Sequence, residues 1–368
     1  MVHLIFMCIS LVGLLVIGVG AQGEMDLELI EGITPKHYVA YRTAGELTVD
    51  GKFDEPSWQR AAWTDYFIDI EGSGRPQPRF KTRAKMLWDD EYFYVAADLE
   101  EPHVWATLTE RDAVIFHDND FEVFIDPDGD THQYYEFEIN AHGAEWDLFL
   151  VKAYRDGAPA MNAWQIVGLE TAVQVWGSIN DPTDVDQGWS VELAFPWAVL
   201  KECARGKAVP PEEGDQWRVN FSRVEWEVEI NGNGYTKVTG RSEDNWVWSP
   251  QGLINMHFPE QWGFVQFSER MVGQETAEYM PPPEEEAKGV LRGIYYRQRT
   301  FREAHGRYTA DLDSLGMGHQ LLRNYLWPPK IQVTDHLFEA SLEEVVDLDE
   351  DGEISRWVIR EDSKTWKD

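Results

Sequence analysis

The chain reads as a mainly β protein: an antiparallel β-sandwich of the jelly-roll or immunoglobulin-like kind, with a small α/β extension at its C-terminus. Two observations predict this. Segments such as Asp120-Phe121-Glu122-Val123-Phe124-Ile125-Asp126 and Tyr135-Glu136-Phe137-Glu138-Ile139-Asn140 alternate polar and apolar residues with period two, and turn residues separate them. Helical signals stay brief until the composition breaks at Pro281-Pro282-Pro283-Glu284-Glu285-Glu286, after which Ala287, Leu291, Ile294, Tyr295, Gln298, Phe301 and His305 follow helical spacing.

In chain order, residues 4–19 are an apolar run that ends in the small residues Val19-Gly20-Ala21. This predicts a signal peptide over 1–21, cleaved before Gln22, with an uncleaved anchor as the alternative. The sandwich is expected over 38–269. Ala84-Lys85-Met86-Leu87-Trp88 and Tyr92-Phe93-Tyr94-Val95-Ala96-Ala97-Asp98-Leu99 flank the acidic turn Asp89-Asp90-Glu91, a hairpin signature. Pro127-Asp128-Gly129-Asp130 is a second turn by composition. Further strands are expected at 171–176, 189–195, 217–229, 234–238 and 263–267, with short helices at 55–62 and 196–201. A linker over 270–286 leads to the extension, 287–368. There Gly306 fits a helix stop, and 337–346 and 353–360 fit a hairpin.

The charge narrows the function classes. Lys plus Arg number 32 against 66 Asp plus Glu, a formal charge of −34. Nucleic acid and anionic membranes select basic surfaces, so neither is an expected partner. Cys8 lies in the signal, which leaves Cys203 alone in a mature chain and allows no intrachain disulfide. The pattern suits a secreted, periplasmic or cell-surface bacterial protein. Seventeen tryptophans are present, with Trp246, Trp248 and Trp262 close together and Trp58 closing Val49-Asp50-Gly51-Lys52-Phe53-Asp54-Glu55-Pro56-Ser57-Trp58. Flat aromatic faces beside carboxylates and amides suit sugar rings, although for any single ring a place in the core is the commoner role.

Several segments, in this order, resemble carbohydrate-binding modules of family 9. They are Leu47 through Trp58, Leu87-Trp88-Asp89-Asp90-Glu91-Tyr92-Phe93-Tyr94-Val95-Ala96, Asn119 through Asp126, Trp189-Ser190-Val191-Glu192-Leu193-Ala194-Phe195-Pro196, Trp217-Arg218-Val219-Asn220-Phe221-Ser222-Arg223, and Trp248 through Gly263. The resemblance implies a sandwich that binds a polysaccharide or its chain end without catalysis, alongside secreted glycoside hydrolases. It implies a sugar held between two rings, Phe116 and Trp248, with Glu122 and Asn245 reading its hydroxyls. The position of the family's arginine falls on Glu138, a reversal of charge for which Arg111 or His142 would be the substitute donors. It also implies structural calcium, for which the acidic turns offer Asp118, Asp120, Asp126, Asp128 and Asp130.

Other readings of the same residues are weaker. Asp347, Asp349, Asp351 and Gly352 start like an EF-hand loop, but Val358 occupies the position of the closing glutamate. Glu136 and Glu138 lie two apart on one strand and point the same way, so they do not straddle a glycosidic bond. A haem-binding redox sandwich with Met86 and His142 as ligands is the alternative from another class. A surface protein with a lost sugar site is a third.

Overall fold

The computed structural model describes residues 32–348 and 352–368. The expected signal peptide and part of the acidic loop before Gly352 lie outside them. Among the described residues no helix is long and apolar enough to cross a membrane.

Among the described residues, fifteen strands precede the C-terminal extension: β1 (His37–Arg42), β2 (Ile68–Asp69), β3 (Thr82–Trp88), β4 (Tyr92–Glu100), β5 (Asp120–Asp126), β6 (His132–Asn140), β7 (Glu145–Lys152), β8 (Ala160–Met161), β9 (Glu170–Trp176), β10 (Gly188–Pro196), β11 (Gln216–Glu225), β12 (Val228–Asn231), β13 (Gly234–Lys237), β14 (Asp244–Val247) and β15 (Gly263–Met271). The short helices are α1 (Pro56–Arg60) and α2 (Trp197–Leu200). The main sheet runs β8-β7-β6-β5-β11-β15-β1-β3-β4-β10-β9 and folds over on itself, so that its halves face each other as the two leaves of a sandwich. The seam is β1, parallel to β15 along its length and to β3 at Tyr41 and Arg42. Strand β14 borders the upper half of β11 and pairs with β2.

Alternation builds the core. Met86, Val95, Val191 and Leu193 from one leaf meet Phe121, Val123, Phe137, Val219 and Phe221 from the other, all buried. Buried Arg223 ties the leaves together: it donates to Thr82 Oγ1 (3.0 Å) and the Glu100 carbonyl (2.9 Å) and pairs with Glu101 (2.6 Å) and Glu225 (2.8 Å). The Asp50-Gly51 turn and Trp58 are clasped by Glu192, which accepts bonds from both turn N–H groups and from Trp58 Nε1 (2.8 Å). Gly51 has φ +81°, and a Cβ there would lie 2.8 Å from the Gln174 nitrogen, so the turn needs glycine.

The extension carries α3 (Glu285–His305), stopped by Gly306 at φ 71°. It packs on a sheet of β16 (Lys330–Val333), β17 (Phe338–Glu343), β18 (Arg356–Arg360) and β19 (Thr365–Lys367), with a core of its own. The stretch before α3 is pinned to the sandwich. Gln266 and Gln216 bond its backbone at Glu278 and Met280, and Tyr279 stacks on His37 at 4.1 Å. A buried ion network joins the two parts: Arg155 pairs with Glu260 (2.9 Å) and Asp156 (3.4 Å), while Tyr296 and Tyr295 of α3 donate to those carboxylates. Removing one partner of a buried pair strands the other charge. Arg155→Met is therefore expected to cost about 3–5 kcal/mol, read as a lower urea midpoint.

Candidate functional site

Period two sorts β5 and β6 into two faces. Phe121, Val123, Ile125, Tyr135, Phe137 and Ile139 enter the core. Asp120, Glu122, Phe124, Glu136 and Glu138 take the other face of the leaf. Register brings the acids together: Glu122 stands opposite Glu138 on one side and Ser222 of β11 on the other, and Glu138 stands opposite Trp146 of β7. Asp120, Glu122 and Glu138 each present an oxygen within 4.8 Å of the others, and all three side chains are buried. Below them Phe124, Tyr134, Leu148, Leu150 and Trp262 form an apolar cluster.

Aromatic rings wall this floor. Half-buried Phe116 and Trp146 lie face to face with centroids 6.2 Å apart, and the Phe116 N–H donates to Glu138 Oε2 at 3.0 Å. Trp146 Nε1 has no hydrogen-bond partner. Opposite, Tyr154 is 47% exposed and packs edge-on to His257 at 4.3 Å. His257 shares a hydrogen bond with Tyr134 Oη (3.0 Å) and stands 3.9 Å from Glu136 Oε2. Burial, then Arg155, lowers the His257 pKa to about 3, so the ring is neutral. Burial pushes the Glu122 carboxyl up to about 7. Asp120, Glu136 and Glu138 are raised well above the ordinary carboxylate range, by burial first and then by the charge of Glu122.

The expected site residues divide. Phe116, Glu122 and Glu138 are brought together as read. Half-buried Asn245 lies opposite Val224 of β11, on the same face, and the Val224 N–H donates to Asp120 Oδ1 (3.1 Å). Trp248 is corrected: it is 1% exposed, packs in the core against Phe221 at 5.8 Å, and leaves only 2.5 Å for a Cβ on Gly263. Trp246 and Trp248 do share a face, but it is the inner one. Arg111 is no substitute for the arginine, because its guanidinium is held by Glu145 and by Asp147 at 2.7 Å. His142 is exposed on the β6–β7 turn and Met86 is fully buried in the core, so the two do not form a haem ligand pair.

The expected calcium ligands also divide. Asp118 is not available: its carboxylate accepts from Thr107 N and Oγ1, Leu108 N and Asn140 Nδ2, which fastens the 107–108 segment to β6. Asp126, Asp128 and Asp130 do cluster, but Asp126 is occupied by the N–H groups of Gly129 and Thr131 (both 3.0 Å), and Lys364 lies 2.9 Å from Asp130. Asp120 belongs with Glu122 and Glu138 instead. Trp146, Tyr154 and His257 were missed. Trp146, Leu148 and Leu150 alternate, and reading 145–152 as a strand beside β6 would have found the first of them.

Residues 49–210 match the family described as carbohydrate family 9 binding domain-like. The match lies within the sandwich. The chain is 32% identical over 103 residues to endo-1,4-beta-xylanase C of Paenibacillus barcinonensis, covering 28% of this chain and 9% of the xylanase. It is 28% identical over 219 residues to exoglucanase XynX of Acetivibrio thermocellus, covering 59% of this chain and 18% of XynX. The chain thus spans less than a fifth of either curated relative. A solved family 9 carbohydrate-binding module from Caldicellulosiruptor kristjanssonii, in complex with cellotriose, superposes with TM-score 0.42 at 14% identity, covering 67% of this chain and all of that module.

Two outcomes are expected. Trp248→Ala opens a core cavity and should lower stability by about 3–5 kcal/mol, measured by chemical denaturation. The second concerns pH. Glu122 ordinarily titrates at 4.5 and does so at about 7 in the fold. Between those values the folded state keeps a proton that the unfolded chain has lost, so this contribution is fully present below the lower value and fades as pH rises through the upper one. Asp120, Glu136 and Glu138 shift the same way, and the facing His257 stays neutral. In chelator, Glu122→Gln should therefore gain stability over the parent at about pH 8 relative to about pH 5, read as the difference in urea midpoints.

Proposed function

We infer that this chain is an exported, non-catalytic carbohydrate-binding protein whose glycan lies along the outer face of the β5–β6–β7 leaf. The observation that carries the reading is the meeting of Phe116, Trp146 and Tyr154 with Glu122, Glu136 and Glu138 on one sheet face. Rings offer stacking surfaces to sugar C–H faces, and carboxylates accept short, charge-assisted bonds from hydroxyls. The family match over residues 49–210 supports a glycan as the ligand class. The names of the curated relatives point to β-1,4-linked xylan or glucan, and to secreted glycoside hydrolases as working partners. The three glutamates rise from neighbouring positions of one sheet, so none faces another across a bound sugar, as hydrolysis requires. Export rests on the apolar run at 4–19 and is checked by N-terminal sequencing of the exported chain, expected to begin at Gln22.

Calorimetry with xylo- and cello-oligosaccharides tests the reading. Losing a central stacking ring costs about 2 kcal/mol or more, roughly thirtyfold in affinity. Trp146→Ala should lose at least that much while keeping its melting temperature. Unchanged affinity in a folded Trp146→Ala would move the site elsewhere. No binding of either oligosaccharide by the parent would favour a surface protein that has lost its sugar site.

A further inference from the structure

We propose that Asp120, Glu122 and Glu138 hold a divalent cation of the calcium class at the floor of the aromatic groove, and that this cation supplies the positive charge that meets the glycan there. The second half rests on the glycan reading; the first half does not.

Geometry comes first. The three carboxylate oxygens lie within 4.8 Å of one another. Ligands about 2.4 Å from a shared calcium can be at most about twice that apart, a condition that all three oxygens meet. The three come from two paired strands, with Glu122 and Glu138 directly opposed. A paired sheet holds such ligands more firmly than a loop does.

Asp120 supplies an independent sign of a missing ligand. Its side chain is 0% exposed, and while Oδ1 accepts the Val224 N–H, Oδ2 has no hydrogen-bond partner. A buried carboxylate oxygen left bare is costly, and native structures rarely leave one so. Glu136 Oε2, beside the cluster, is bare as well.

Charge balance points the same way. Among the described residues, Asp120, Glu122 and Glu138 make no ion pair, and the base beside Glu136, His257, is neutral. Other buried acids have partners: Glu101 and Glu225 pair with Arg223 and Glu260 with Arg155, while Glu192 and Asp118 accept full sets of N–H donors. The other acidic cluster, Asp126 to Asp130, already has Lys364. The candidate ligand atoms here are all carboxylate oxygens, and a hard divalent cation is the class of ion that such a set selects. Calcium takes six to eight oxygens, so three carboxylates leave positions for water or for paired sugar hydroxyls.

The test uses the full chain after chelator treatment, with calcium alone as the first probe. Calorimetry should show a site that Glu138→Gln and Asp120→Asn each abolish and Asp128→Asn retains. Millimolar calcium should raise the melting temperature of the parent and not that of Glu138→Gln. Circular dichroism checks that the variants fold, which is expected because each removes a buried negative charge. No calcium heat and no thermal shift in the parent would overturn the proposal. So would binding lost in Asp128→Asn and kept in Glu138→Gln, which would place the ion in the turn. The second half is read from oligosaccharide affinity with and without chelator: loss in chelator, restored by calcium, supports it. Affinity unchanged by chelator would overturn that half and leave the ion structural. Calcium bound normally with no oligosaccharide bound in either state would support the ion and overturn the glycan reading.

Discussion

The register between β5 and β6 is the constraint on which the rest of the molecule depends. With Glu122 opposite Glu138, the inward residues of both strands complete the core between the leaves. The same pairing collects the acids on the outer face. A slip of β6 by one residue would send Glu136 and Glu138 into the core and Phe137 to the outer face. Strand β7 inherits the register and carries Trp146 to the edge of the acids. Core and groove are therefore two sides of one pairing decision.

The price of that decision is electrostatic. Burial strips hydration from the Glu122 carboxyl and pushes it up to about 7, and burial followed by the charge of Glu122 raises Asp120, Glu136 and Glu138. The protein meets similar problems elsewhere with arginine, in the tie between the leaves at Arg223 and in the junction with α3 at Arg155. Those acids are structural, and their partners are in place. The groove acids face one another and neutral rings instead, an arrangement that makes sense where a ligand supplies the missing interactions.

The aromatic residues show how the same side chain serves two ends. Trp58, Trp88, Trp189, Trp217, Trp248 and Trp262 are all fully buried, so the sandwich spends much of its tryptophan on packing. Trp248 lies in a motif-rich segment and is the sugar platform that the family resemblance implies. Its ring instead fills the space left by Gly263 and packs on Phe221. Trp146 lies in a segment with no motif and faces the acids. Exposure, which separates a platform from a core ring, is a property of the neighbours and not of the residue.

Period-two alternation, turn composition and the break at Pro281 were enough to read the sandwich, the β3–β4 hairpin and the long helix from the chain alone, because these depend on local spacing. The common face of Asp120 and Glu122 was legible for the same reason. What could not be read locally was which strands are neighbours. Pairing of β5 with β6, and of β6 with β7, decides that Glu138 meets Glu122 and that Trp146 stands opposite Glu138. The same long-range packing turns Trp248 inward and spends Asp118 and Arg111 on internal bonds. Local sequence determined which residues share a face; only the tertiary structure decided which faces meet and which are buried, because burial depends on contacts between segments far apart in the chain.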